Sequence, residues 1–191
     1  MSNTHKLFIA IPLELGNKEK LLKFQKDHLN NICFRYVSGD DLHLTLVFLG
    51  ENDDLAISQV IKSMDEICKH FDPINIKLEQ IEYGPTPNHQ RLVWIRGERN
   101  KILQDLKNEL QEELYSWGDI NFQGEHKGFI PHITLAKIKN NDTKDLLPPK
   151  EKIEIKLPIN IIADKMILFE SNTTKHGPEH NPIYESFLNK K

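Results

Sequence analysis

Two short segments of this chain hold the same three residues in the same order. His43-Leu44-Thr45-Leu46 lies in DLHLTLVFLG, and His132-Ile133-Thr134-Leu135 lies in GFIPHITLAKI. Each places an imidazole two residues before a hydroxyl. In an extended strand, residues i and i+2 share a face. His43 and Thr45 then share one face, as do His132 and Thr134, while the leucines and Ile133 turn to a core. If the two strands face one another, two imidazoles and two hydroxyls line one cleft. That set suits acid–base chemistry on a phosphate: imidazole gives and takes protons near neutrality, and hydroxyls donate to anionic oxygens.

A single His-x-Thr carries little weight. With nine histidines in the chain, about one His-x-Ser/Thr is expected by chance, and a lone strand histidine is more often structural than catalytic. The pair is more telling. Both copies use Thr, both continue with Leu, and both sit in apolar runs. The histidines are 89 residues apart, so only folding can bring them together.

The elements that must position these motifs read as a near-repeat. Residues 6–13 form an expected buried strand, 17–30 a helix, 34–37 a short extended piece and 42–49 a strand that stops at Gly50. Asn52, Asp53 and Asp54 offer a helix N-cap, followed by Ile57, Val60, Ile61, Met64, Ile67, Cys68 and Phe71 at helical period. Residues 74–82 read as a strand and GPTPN at 84–88 as a loop. The second half has a strand at 91–97, a helix capped by Asn100 with Leu103, Leu106, Leu110 and Leu114 on one face, and a strand within 128–138 entered through Pro131. Residues 148–150 read as a turn, 153–170 as one or two strands and 183–188 as another. Each half runs strand, helix, His-x-Thr strand. Phe8 precedes His43 by 35 residues and Val93 precedes His132 by 39. The expected fold class is α+β: bilobal and pseudo-symmetric, with two sheets around a central cleft and helices outside. All of 1–191 is expected to form one domain of two intertwined lobes.

Composition bounds the partners. The 191 residues are 38% hydrophobic and 28% charged, with formal net charge −3, which argues against a general duplex-binding surface. Cys33 and Cys68 lack metal-type spacing and read as buried thiols in a reducing compartment. LFIAIPL is too short to span a membrane and makes a poor secretory core, so a cytoplasmic protein is expected. His176 and His180 have a spacing seen in metal sites, but Gly177 and Pro178 between them argue for a loop rather than a ligating helix. Glu125-His126 reads as a charged turn.

LFIAI at 7–11, DLHLTLVFLG at 41–50, RLVWI at 91–95, FIPHITLAK at 129–137 and LFES followed by Tyr184 together resemble the two-histidine (2H) phosphoesterase superfamily. The likeness is to its RNA 2′,3′-cyclic phosphodiesterases, once called 2′–5′ RNA ligases. The resemblance implies metal-independent opening of a 2′,3′-cyclic phosphate to a 2′-phosphate, with no cofactor. It implies His43 as proton donor to the leaving group and His132 as proton acceptor from water; the residues alone do not distinguish them. Thr45 and Thr134 would hold the non-bridging oxygens. Phe8 is a candidate for stacking on a base, with plain core the competing reading. Many relatives carry Arg where this chain has Lys137, a phosphate-binding position; simple alternation turns Lys137 away from His132 and Thr134, so that role requires a bulge or twist. Arg35, Arg91 and Arg96 are further candidate phosphate contacts. HGPEHNP at 176–182 looks like an insertion. The expected partner is an RNA end or cyclic nucleotide, with no membrane and no metal, and the protein is expected to be a monomer. The alternatives are cleavage or ligation of 2′–5′ linkages, another cyclic-phosphate metabolite, a non-catalytic nucleotide-binding module, and a metal-dependent hydrolase.

Overall fold

In the computed structural model, residues 4–86, 89–122, 124, 128–139, 146–174 and 177–189 are described. The chain begins with β1 (His5–Pro12), α1 (Leu15–His28), β2 (Phe34–Tyr36), β3 (His43–Asn52) and α2 (Asp54–Cys68). It continues with β4 (Ile74–Thr86), β5 (His89–Gly97), α3 (Lys101–Ser116) and β6 (His132–Ile138). The last part holds α4 (Lys150–Ile153), β7 (Lys156–Ala163), β8 (Lys165–Thr174) and β9 (Gly177–Phe187). One sheet has the order β3-β1-β8-β9 and the other β2-β6-β5-β4-β7; the described pairings are antiparallel.

The helices form where caps and periodicity coincide. Asp53 accepts from the Ala56 amide at 3.0 Å and Asn100 from the Leu103 amide at 3.1 Å, each satisfying a donor that the first turn leaves open. The faces behind these caps, Val60 and Met64 on α2 and Leu103, Leu106, Leu110 and Leu114 on α3, are buried. The main core joins these faces to the inner faces of both sheets. A separate small cluster of Phe8, Ala10, Ile167 and Phe169 covers the other face of the first sheet.

Several boundaries differ from the expected ones. β3 does not stop at Gly50 but runs to Asn52, because Gly50 takes a φ of 71° beside an irregularity in its pairing with β1. Residues 84–86 belong to β4 rather than to a loop: Gly84, Pro85 and Thr86 pair with Leu92, Gln90 and His89. Glycine is required at 84, since a Cβ there would lie 2.6 Å from the Trp94 indole that leans over it. Lys150 opens α4 instead of closing a turn. The segment from Gly177 onward is part of β9, an edge strand paired with β8, and not a loop; His176, like Glu125 and His126, lies outside the described residues.

Candidate active site

β3 and β6 begin at the two motif histidines and lie against one another, one from each sheet. His43, Thr45, His132 and Thr134 are each half-buried, while Leu44, Leu46, Ile133 and Leu135 are buried in the core. The alternation read from sequence therefore holds across each motif.

It breaks just beyond, in the same way in both strands. On β3, Thr45 pairs with Ala10 and Val47 with Ile9, so Leu46 is an extra residue. On β6, Thr134 pairs with Trp94 and Ala136 with Val93, so Leu135 is the extra one. The Leu common to both motifs is thus the bulged residue in each. A bulge resets the side-chain parity. Leu46 and Val47 are both buried, as are Leu135 and Ala136, and the next residues, Phe48 and Lys137, return to the motif's own face. Phe48 pairs with Phe8 and Lys137 with Leu92. On β6 the bulge is held from outside the sheet: the Leu135 carbonyl accepts from Gln25 Nε2 of α1 at 2.7 Å and from the Val37 amide at 2.9 Å.

His43 sits in an aromatic setting. Its ring stacks on Phe8 at 4.9 Å and on Phe169 at 5.8 Å, and His180 stands edge-on to it at 5.5 Å. Burial is the main reason its pKa falls to about 4; His180 and Lys18 push the same way, and Asp41, through its charge and a backbone hydrogen bond, pushes against. His132 is held differently. Its Nδ1 lies 2.9 Å from the Ile130 carbonyl. A carbonyl only accepts, so Nδ1 carries the proton and Nε2 is left as the free base position. The Trp94 ring packs on His132 at 4.7 Å. Glu82 fixes that indole by accepting from Trp94 Nε1 at 3.3 Å, and it also takes Arg96 Nε at 2.5 Å.

The candidate residues therefore separate. Phe8 is 3% exposed, with its faces and edge taken by His43, Phe169 and His180. Phe48 is 68% exposed and is the open aromatic of this face. Burial chiefly lowers the His180 pKa against the opposing charge of Asp41, and Lys137 is near enough to add to the lowering by its charge. Arg35 stands directly across from Lys137 on β2, exposed. Arg96 is engaged by Glu82, and Arg91 is exposed and is the extra residue on β5 between the Gly84–Leu92 and Pro85–Gln90 pairs. Sequence reasoning missed His180, Phe48, Trp94 and Gln25. A signal existed for Phe48: like Lys137, it stands five residues after its motif histidine. Among the described residues, no three His, Cys, Asp or Glu side chains cluster so as to hold a metal ion.

Two antiparallel sheets whose bulged His-x-Thr strands lie against one another define a two-histidine fold. The 2′-5′ RNA ligase superfamily model matches residues 23–170, and the chain belongs to that family. An RNA 2′,3′-cyclic phosphodiesterase of Methanocaldococcus jannaschii is 30% identical over 183 residues, covering 94% of this chain and 99% of the relative. One from Bacillus subtilis is 26% identical over 179 residues, covering 93% of each. Among solved structures, TT0787 of Thermus thermophilus superposes with a TM-score of 0.83 at 22% identity, covering 96% of this chain and 97% of that one. Escherichia coli LigT complexed with 3′-AMP does so at 0.71 and 22%, covering 99% and 100%. These two likenesses concern the fold.

Proposed function

We propose that this protein is an RNA 2′,3′-cyclic phosphodiesterase that opens the cyclic phosphate to a 2′-phosphate by two-histidine acid–base catalysis without a metal. The observation that carries this reading is the matched pair of motif strands, each with its His and Thr on one face and the same bulge after them. Water attacks phosphorus as the bond to the 3′ oxygen breaks. His132 Nε2 takes the water's proton, which its Nδ1 hydrogen bond to Ile130 favours. His43 gives a proton to the departing 3′ oxygen. It reaches its charged form when the anionic phosphate enters, because an opposite charge within ~4–6 Å favours protonation and offsets burial. Thr45 and Thr134 donate to the non-bridging oxygens, and Lys137 adds positive charge on the same face. Phe8 supports His43 from beneath, and the exposed Phe48 offers a ring to a base. The buried thiols Cys33 and Cys68 fit a reducing, cytoplasmic setting, and the 191 residues act as one monomeric unit.

The test is an RNA ending in a 2′,3′-cyclic phosphate, incubated with the protein in EDTA. The product should carry a 2′-phosphate, identified by phosphorus NMR. Turnover that collapses on chelation would instead assign a metal hydroxide, and a 3′-phosphate product would reverse the bond broken.

A further inference from the structure

His180 comes from the segment that looked like an insertion, on the edge strand farthest from β3 in its sheet. A bulge brings it to the active face. A pairing irregularity between Leu168–Tyr184 and Phe169–Pro182 leaves Ile183 as an extra residue on β9. That bulge lets the two ends of the strand face opposite ways. Tyr184 turns to α2, where its hydroxyl donates to Asp65 at 2.9 Å and the Ser186 hydroxyl does so at 2.7 Å. Pro182 and His180 turn to the other side, over the apolar cluster. There the His180 ring meets Phe8 edge-on at 4.8 Å and His43 at 5.5 Å. Its Nδ1 is buried without a hydrogen-bond partner among the described residues, an arrangement that is costly for a structural residue.

We propose that His180 is a positioning residue for His43: its ring closes the open side of the Phe8–His43–Phe169 stack and sets the orientation and charge state of the donor imidazole. The charged groups around the pair are His43 itself, Asp41 before β3, Lys137 on β6 and, toward His43, Lys18 on α1; across the ladder on β8, His180 meets the uncharged Ser171. His180, whenever it is protonated, joins Lys18 in placing positive charge beside His43. This discourages a proton on His43 until an anion arrives. The residue thus acts through His43 and not on the phosphate.

Three variants probe the ring and its charge. His180→Phe keeps the edge-on ring and should hold kcat within about threefold. His180→Ala removes it and should lower kcat about 10- to 100-fold, the loss expected when a reacting group is misplaced by about an ångström, with KM little changed. His180→Gln removes the charge, and the His43 Cε1 proton, followed by NMR, should titrate at higher pH than in wild type. The kinetic arms rest on the proposed cyclic-phosphate reading, whereas the NMR arm does not. A protein inactive on cyclic phosphates whose His43 still responds to His180→Gln would sink that reading and leave this inference standing. An unchanged His43 titration in the Gln variant, or an Ala variant with wild-type kcat, would overturn it.

Discussion

At the scale of residues, each motif pairs a proton-transfer group with a hydrogen-bond donor, and the two kinds of residue should fail differently. His43→Ala or His132→Ala should cut kcat by about 10²–10⁴-fold, the usual worth of one acid–base group. The double variant should fall well short of the product of the two losses, since both groups serve one transition state. Either single variant turning over at nearly the wild-type rate would remove that histidine from the chemistry. Thr45→Val and Thr134→Val keep the β-branched shape and lose the donor. A hydrogen bond to a charged acceptor is worth about 1.5–3 kcal/mol, so kcat/KM should drop about 10- to 100-fold. Val variants with full activity per folded molecule but a lowered melting temperature would make the hydroxyls structural.

At the scale of elements, the bulges decide which side chains reach the site. Lys137 lies on the active face only because Leu135 is an extra residue, and Gln25 of α1 shares the Leu135 carbonyl with the Val37 amide. Gln25→Met removes two hydrogen bonds, to the Leu135 and Val37 carbonyls, and should cost about 1–3 kcal/mol of stability. It should also raise KM much as Lys137→Met does, with kcat less affected, because both changes act on phosphate binding. A Gln25→Met enzyme with wild-type KM would show that the bulge holds without α1. The same bulges mark where sequence could be read and where it could not. Period-2 alternation put His43 with Thr45 and His132 with Thr134 on one face each because the irregularity in each strand begins only after the Thr. The Asp53 and Asn100 caps were readable because capping is local. For Lys137 the sequence could say only that its role requires a bulge or twist, and Phe48 was passed over, since a bulge is fixed by the partner strand's register. His180 was hidden twice: glycine and prolines in 177–182 imitate a loop, and its parity depends on a third bulge at Ile183.

At the scale of the whole molecule, the site carries a cost that depends on pH. His43 titrates at about 4 in the folded protein against 6.5 for the free side chain, mainly through burial. Between those values the unfolded chain binds the proton and the folded one does not. Stability from this group is therefore complete above pH 6.5 and is lost as pH falls toward the folded value, by about 3 kcal/mol in all. His5 acts with the opposite sign. Its ring bridges Glu170 of β8 at 2.7 Å and Asp54 of α2 at 3.1 Å, and these partners, Glu170 first, raise its pKa against the opposing effect of burial. Its contribution is full below pH 6.5 and fades as pH rises through the raised value. The two effects separate by substitution. His43→Gln removes the titrating group, so its melting temperature should fall less than that of the wild type between pH 6.5 and 4. His5→Gln should lose its deficit relative to the wild type as pH rises through the raised His5 value. Calorimetric curves for the His43→Gln and wild-type proteins that run parallel from pH 7 to pH 4 would show that His43 charges freely in the folded state. The proton donor would then not depend on an arriving anion for its charge.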